Sequence, residues 1–205
     1  MDDDSHRWQR CREFAFNVVL AAFFAALAYR FILDFQQTNR LSSLFYVLFS
    51  LVVVLLSFSR RMPKAVSWNP FDWGLASLAT VLPLLLVPAA SRNSWFWFAV
   101  QCVGEGISTI ALLTLNRSLG VVPANRGLKT SGMYRLVRHP MYCGYCISDL
   151  AMLVQNFCVW NLCLAGAHLI VQTLRIIREE RFLLQDPAYA DYASRVRWRL
   201  FPAIW

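Results

Sequence analysis

Long apolar runs separated by short polar segments organise this sequence. The first four runs are Phe14–Leu33, Leu41–Phe58, Phe71–Ala90 and Ser94–Leu115. Because an α-helix rises 1.5 Å per residue, about 20 residues cross the ~30 Å hydrocarbon core of a bilayer. The pattern therefore predicts four membrane-spanning helices in this part of the chain.

The later apolar segments carry breaks in their helical pattern. Pro83 and Pro88 are expected to kink the third run or to end its helix early. The segment Tyr142–Arg175 is too long for one helix and has polar residues near its middle. It predicts a helical hairpin with arms at about Tyr142–Asn156 and Val159–Arg175, which are short for a full crossing and are expected to tilt or to stop partway.

The polar end of the chain is predicted to lie in the cytosol. Residues Arg175–Leu184 extend the second arm, and the pair Asp186–Pro187 ends it. The segment Ala188–Arg199 has the pattern of an amphipathic surface helix. The predicted fold class is an all-α polytopic membrane helix bundle, with about five to six transmembrane segments and a C-terminal helical hairpin.

Composition supports the membrane assignment and changes the meaning of the charge. The 205 residues are 58% hydrophobic and 16% charged, whereas roughly one quarter of the residues in soluble domains are charged. In a soluble protein the net charge of +8 would suggest nucleic-acid binding. Here the basic residues fall in loops between apolar runs, so membrane topology explains them. We therefore expect membrane lipids as partners and no nucleic acid.

The distribution of cations predicts the orientation of the helices. If the N-terminus is cytoplasmic and the hairpin crosses twice, the C-terminus is cytoplasmic as well. All 20 lysine and arginine residues then lie in inner segments, except Arg40 and Arg92 outside and Arg30 within the first span. This asymmetry follows the positive-inside rule. It also places the polar segments before and after the hairpin at the same membrane face.

The polar stretch Gly127–Gly144 precedes the hairpin and is punctuated by glycine and proline. Its cationic and aromatic residues are Lys129, Tyr134, Arg135, Arg138, His139 and Tyr142. Such a set can hold a ligand with carboxylate, adenine and ribose parts. The alternative interpretation is a basic loop that pairs with anionic lipids.

A second polar cluster follows the hairpin and consists of Arg175, Arg178, Glu179 and Glu180. Arg175 and Glu179 are four residues apart, so they share one face of a helix. A plain network of surface salt bridges is the alternative interpretation. Its position favours a functional role, because the cluster starts at the membrane boundary and is expected to face the first polar cluster there.

Three further features have competing interpretations. Glu105 lies near the middle of the fourth run, where an ionisable group is either functional or part of a hydrogen bond between helices. Cys143 and Cys146 have the spacing of a redox pair or half a metal site, or are small apolar residues at the start of a helix. The 3 histidines are far apart in sequence, so no metal site is expected.

The chain resembles the isoprenylcysteine carboxyl methyltransferase family from about Gly104 to Pro202. The resemblance rests on Arg-His-Pro-Met-Tyr-Cys-Gly at 138–144, followed after the hairpin by Glu-Glu at 179–180. The same superfamily includes phospholipid N-methyltransferases, and membrane sterol reductases that use NADPH carry a similar motif. The resemblance implies an integral membrane methyltransferase that depends on S-adenosylmethionine. Residues 1–93 are then N-terminal transmembrane helices, and residues 94–205 a methyltransferase-like catalytic region.

The resemblance also implies roles for individual residues. The expected contacts to S-adenosylmethionine are Leu128, Lys129, Tyr134, His139, Pro140, Met141, Tyr142 and Glu180. Arg175 is expected to orient the substrate carboxylate, with Arg138 and Glu179 supporting the site. The eukaryotic prenyl-protein enzymes have histidine where this chain has Arg126, which leaves room for a different lipid-like substrate.

The implied reaction is carboxyl O-methylation of an isoprenylcysteine-like, prenylated or other lipidic substrate. Phospholipid N-methylation and NADPH-dependent sterol-type reduction are the alternative activities. A membrane scaffold without catalysis is a third interpretation.

Overall fold

The computed structural model describes residues 2–39, 41–87 and 94–205. Seven α-helices lie within these ranges: α1 (Asp2–Thr38), α2 (Leu41–Ser59), α3 (Pro70–Val81), α4 (Trp95–Leu115), α5 (Pro140–Gln155), α6 (Val159–Leu183) and α7 (Pro187–Arg195). Two short strands, β1 (Ala65–Val66) and β2 (Ala124–Asn125), pair antiparallel. Arg40, Pro88 and Arg92, which entered the predicted topology, lie outside the described residues.

Four of the described helices are long and apolar enough to cross a membrane. They cover Arg7–Gln37, Leu41–Ser59, Trp95–Ser118 and Val159–Leu183. The other apolar helices, α3 and α5, are shorter, with 12 and 16 residues. The predicted fold class, an all-α polytopic membrane helix bundle, is confirmed.

The third predicted span is shorter than its apolar run. Its start follows the usual chemistry of a helix N-terminus, because the Asn69 side chain accepts a hydrogen bond from the backbone N–H of Phe71 at 2.9 Å and Pro70 takes the first helical position. The α-helix ends at Val81 and passes into a 3-10 turn that contains Pro83. The early end expected from Pro83 is therefore confirmed.

The predicted hairpin is formed by α5 and α6. The amide of Asn161 is fully buried at the turn, and its Nδ2 donates to the carbonyls of Asn156 and Val87 at 2.7 and 2.8 Å. These bonds satisfy backbone carbonyls where the chain leaves the helical hydrogen-bond pattern. The polar residues that interrupt the apolar run therefore close the turn and attach it to the end of the α3 segment.

Close packing of α4 against α5 depends on small residues at a spacing of four. They are Gly104 and Ser108 on α4, and Gly144 and Ser148 on α5. A Cβ atom added to Gly104 would lie 2.7 Å from the backbone nitrogen of Ser148, and one on Gly144 would lie 2.8 Å from that of Ser108. The two helix backbones are thus in contact, as small residues allow in membrane proteins.

The surface of the bundle is apolar, while parts of its interior are polar. Val19 and Leu55 are 66% and 72% exposed. Buried positions include Ser57, whose hydroxyl donates to the carbonyl of Val53 at 2.7 Å, and Gln101. This inverted pattern suits a lipid environment, where apolar side chains face the hydrocarbon and polar groups are satisfied inside.

The chain returns to the polar stretch after α7. The helix predicted over Ala188–Arg199 is wrong in its last turn, because α7 has already ended there. The backbone N–H groups of Arg138 and His139 instead donate to the carbonyls of Trp198 and Arg199, at 2.9 and 2.8 Å. These bonds hold the C-terminal segment against the residues that the sequence singled out.

Candidate functional site

The carboxylate of Glu180 on α6 holds three side chains from distant parts of the chain. Arg138 donates from Nε to Oε1 at 2.5 Å and from Nη2 to Oε2 at 3.1 Å. Arg199 donates from Nε to Oε2 at 2.5 Å, and Nε2 of His139 lies 3.3 Å from Oε1. Arg138 also donates from Nη1 to the carbonyl of Val196 at 2.9 Å. The forked pairing fixes the orientation of both partners.

Tyr142 on α5 is the centre of a second group. Its hydroxyl donates to Oε2 of Glu179 at 3.0 Å. Its ring stacks on the imidazole of His139, with centroids 5.5 Å apart and planes 9° apart. The guanidinium of Arg175 lies 5.2 Å from the ring centroid. Because His139 belongs to both groups, the two polar clusters predicted from the sequence form one continuous site.

Arg175 extends the site toward the loop before α5. Its Nη2 donates to the carbonyl of Val121 at 2.8 Å. A cavity of about 10 Å³ lies beside it, bordered also by Asp72, Arg178 and Glu179. This volume corresponds to about one water molecule.

Arg178 faces a different partner from its neighbours. Its Nε donates to Oδ1 of Asp72 on α3 at 2.6 Å, and the hydroxyl of Ser67 donates to the other carboxylate oxygen. The indole Nε1 of Trp73 donates to the carbonyl of Ser67 at 3.1 Å. The second cluster is therefore divided: Arg178 attaches α6 to α3, and Glu180 attaches it to the first cluster.

Tyr134 lies buried in a 3-10 turn ahead of α5. The hydroxyl of Tyr192 on α7 donates to its carbonyl at 2.7 Å, and its own hydroxyl lies 3.5 Å from the carbonyl of Ala111. Burial raises the pKa of both phenols, that of Tyr192 to about 12, so both hydroxyls keep their protons at neutral pH. Tyr134 is thus held on one side by α4 and on the other by α7.

The remaining predicted cofactor contacts lie on both sides of this turn. Pro140 is fully buried at the first position of α5, and the carbonyl of Met141 accepts a hydrogen bond from Ser108 at 3.2 Å. Leu128 is 39% exposed and Lys129 is half-buried in the preceding loop. Neither of these two side chains takes part in the hydrogen bonds of Glu179 or Glu180.

Sequence reasoning missed two members of the site. Arg199 was placed on the surface helix, and its position among other basic residues gave no sign of a buried carboxylate as its partner. Asp72 received no role, although a lone acidic residue at the start of an apolar helix is a signal for a specific cation. Both residues reach the site through contacts between segments that are distant in sequence.

The other candidate residues take part in helix packing. Glu105 is 5% exposed within α4, and its carboxyl interacts with the nearby hydroxyls of Tyr46 on α2 and Ser148 on α5, which favours the interhelical interpretation. Cys143 and Cys146 are free thiols that pack against the buried core around Ile176 and Tyr142, which favours the apolar interpretation. Within the described residues, no group of three or more His, Cys, Asp or Glu side chains is arranged to hold a metal ion.

The sequence of this region is similar to that of a known protein family and of a plant protein. The sequence model of the isoprenylcysteine carboxyl methyltransferase (ICMT) family matches residues 97–185. Protein-S-isoprenylcysteine O-methyltransferase A of Arabidopsis thaliana is 33% identical over 136 residues, which cover 60% of this chain and 68% of the relative. The family match includes Arg138, His139 and Glu180, while Arg199 lies beyond it.

Proposed function

Because the chain belongs to the isoprenylcysteine carboxyl methyltransferase family of membrane methyltransferases, we propose that it transfers a methyl group from S-adenosylmethionine to the carboxylate of a lipidic substrate. An isoprenylcysteine-like acceptor is the first candidate, since the Arabidopsis relative is named for that substrate. The observation that carries the proposal is the return of α6, which places Glu179 and Glu180 beside Tyr142 and His139.

The residues present suit the chemical parts of S-adenosylmethionine. The stacked faces of Tyr142 and His139 offer a wall for an adenine ring. The carboxylates of Glu179 and Glu180 complement its ammonium and sulfonium charges, and Lys129 complements its carboxylate. We assign Leu128, Tyr134, Pro140 and Met141 to the remaining contacts, as the family resemblance implies.

The bound cofactor supplies an electrophilic methyl group on a positively charged sulfur. The acceptor carboxylate is already ionised at neutral pH, so no residue has to remove a proton from it. Arg175 holds this carboxylate through two parallel hydrogen bonds and sets its direction of attack. Glu179 keeps the Tyr142 ring in place, and Arg138 keeps Glu180 oriented.

Ligand binding requires side chains in the site to separate. The cavity beside Arg175 and Glu179 has a volume of about 10 Å³, far below that of a small-molecule ligand site. Arg175 and Glu179 both contact Tyr142, so a shift of these side chains widens the cavity. Closing the site around both substrates then excludes water from the reacting atoms.

The decisive test separates cofactor binding from turnover in the Arg175→Ala variant. We expect the dissociation constant for S-adenosylmethionine to change by less than about threefold, while kcat/KM falls by about 100-fold because the acceptor loses its alignment. Calorimetry and a methyl-labelled lipid assay measure the two quantities. Arg181→Ala is the matched control, because Arg181 is an exposed cation on the same helix. Equal losses of binding and turnover in Arg175→Ala would contradict the assigned role.

Nitrogen methylation of a phospholipid is the second candidate, and the position of Glu179 favours it. An amine acceptor needs a base, and the Glu179 carboxylate lies within 3.0 Å of the Tyr142 hydroxyl inside the site. The bond type of the labelled product distinguishes the two reactions, since an ester is cleaved by mild alkali and an N-methyl group is not. Heat of binding with NADPH, and none with S-adenosylmethionine, would instead support a reductase.

A further inference from the structure

Two arginine side chains lie buried together beside the first helix, and neither pairs with Glu180 among the described residues. Arg126 donates from Nη2 to Oε2 of Glu13 at 2.7 Å and from Nη1 to the carbonyl of Arg61 at 2.5 Å. Arg60 and Arg126 are 9% and 5% exposed. We call Arg60, Arg126 and Glu13 the Arg60–Arg126 cluster.

The donors of this cluster are only partly satisfied. Among the described residues, Nε and Nη1 of Arg60 and Nε of Arg126 are buried and have no hydrogen-bond partner. Buried charged donors in folded proteins are normally paired, because an unpaired buried charge is strongly unfavourable. These three N–H positions therefore indicate a missing acceptor.

The cluster also carries an excess of positive charge, with two guanidinium groups and one carboxylate. Glu13 pairs with Arg126, and Arg60 forms no ion pair among the described residues although it lies within electrostatic range of both. Burial, followed by repulsion from Arg126, lowers the pKa of Arg60 to about 10, so Arg60 remains charged at neutral pH. The missing acceptor is consequently expected to be an anion.

Aromatic contacts place the cluster at the depth of lipid headgroups. The guanidinium of Arg60 lies 5.3 Å from the centroid of the Phe16 ring, and Phe16 contacts Trp73 edge-on at 5.4 Å. Trp73 stacks on Trp68, over which the guanidinium of Arg12 lies at 4.0 Å. Tryptophan and arginine together mark the boundary between hydrocarbon and water.

We propose that the Arg60–Arg126 cluster binds a phosphate group, supplied by the headgroup of an anionic phospholipid or by free phosphate. Phosphate oxygens accept the forked donor pairs that guanidinium groups present. The phosphate would pair with the three N–H positions left by Glu13 and balance the second cation. This site is built by α1, the end of α2 and the segment after β2, so it stands independently of the methyl-transfer proposal.

The experiment measures phosphate and lipid binding without using methyl transfer. Inorganic phosphate is titrated by calorimetry into the full-length protein in zwitterionic detergent. Lipids retained from nanodiscs of phosphatidylcholine, with or without phosphatidylglycerol, are counted by native mass spectrometry. We expect Arg60→Met to weaken binding by about 10-fold or more, through loss of a charge-assisted fork. Arg195→Met should leave it within about twofold, because Arg195 is exposed and pairs only with Asp191 among the described residues.

The two arms identify the source of the phosphate. Binding of phosphatidylglycerol without inorganic phosphate assigns a lipid headgroup, and binding of inorganic phosphate alone assigns the free anion. Either outcome supports the proposal if Arg60→Met weakens that binding by about 10-fold or more. Wild-type protein that binds neither probe, or Arg60→Met protein that binds as well as wild type, overturns it in favour of ordered water.

A stability measurement guards against a folding defect. The Arg60 guanidinium has donors without partners among the described residues, so the Arg60→Met variant should melt at a temperature no lower than that of wild type in phosphate-free buffer. Added phosphate should raise the melting temperature of wild type only. If Arg60→Met does not fold, Arg60→Lys keeps the charge without the fork. It should then bind phosphate about 10-fold more weakly than wild type, and equal affinity would overturn the proposal.

Discussion

Glu179 and Glu180 show how two adjacent carboxylates acquire different roles. Successive residues of a helix point about 100° apart, so one carboxylate meets the Tyr142 hydroxyl and the other meets Arg138. Glu180 has a side chain that is 4% exposed and is paired with Arg138, Arg199 and His139. Glu179 accepts a hydrogen bond from Tyr142 and borders the same small cavity as Arg175. We propose that the ion pairs of Glu180 hold it in place for contact with S-adenosylmethionine, while Glu179 supports the site through its hydrogen bond with Tyr142.

Replacing Glu180 by glutamine tests the ion pairs around this carboxylate. The variant leaves the buried guanidinium of Arg138 without its counter-ion, and we expect it to lower the free energy of unfolding by about 3 kcal/mol. Thermal unfolding in detergent measures the change. Asp191→Asn is the control, because it removes the exposed pair with Arg195 and should have little effect. Equal shifts in the melting temperatures of the two variants would show that the ion pairs of Glu180 do not stabilise the fold.

At the scale of elements, two sets of contacts position α5: its close packing against α4 and a hydrogen-bonded histidine. Its small residues allow contact with α4, and its Asp149 lies 2.5 Å from Nδ1 of His168 on α6. The other ring nitrogen of His168 lies 3.1 Å from the carbonyl of Ala79 in α3. One buried imidazole thus joins three helices, where each polar contact is shielded from water. Tyr142 lies on α5, so the alignment of the site depends on both sets of contacts.

Replacing Gly144 by alanine tests the contact between α4 and α5. The new Cβ would lie 2.8 Å from the backbone nitrogen of Ser108, so the helices must separate. We expect a loss of about 2 kcal/mol in the free energy of unfolding and a parallel loss of cofactor affinity. Gly106→Ala on α4 is the matched control, because nothing lies within 4 Å of its added Cβ. Unchanged melting of Gly144→Ala would contradict the close packing.

At the scale of the whole molecule, the hairpin decides which ends of the chain meet. α6 is long enough to cross a membrane and carries Glu179 and Glu180 in its last turns. Because α6 returns beside the start of α5, Glu179 and Glu180 near its C-terminal end contact Tyr142 and His139. We propose that this face is cytoplasmic, together with both termini, because the basic residues concentrate there.

Cysteine labelling tests this orientation. In a variant lacking the 6 native cysteines, a single cysteine replaces either Phe157 at the hairpin turn or Asp191 on α7. Both positions are exposed. A membrane-impermeant maleimide added to intact cells should label Phe157→Cys, and should label Asp191→Cys only after lysis. Labelling of Asp191→Cys from outside would reverse the proposed topology.

Prediction from the sequence succeeded where one physical requirement acts locally. A run of about 20 apolar residues must satisfy its own backbone in lipid, so α2 and α4 were located by hydropathy alone. Pro83 ended a helix through its missing N–H. The last turn predicted for α7 failed because hydrogen bonds from Arg138 and His139, distant in the chain, compete for those carbonyls.

The sequence by itself determined that this is a helical membrane protein with its polar chemistry before and after a hairpin. Hydrophobic burial and backbone satisfaction depend on neighbours along the chain, and these can be read from the order of residues. Only the tertiary structure decided that Glu180 pairs with Arg138 and Arg199, and that Arg178 pairs with Asp72. It also left Nε and Nη1 of Arg60 without a hydrogen-bond partner among the described residues. Ion pairing depends on which side chains meet in space, and that follows from the packing of the helices.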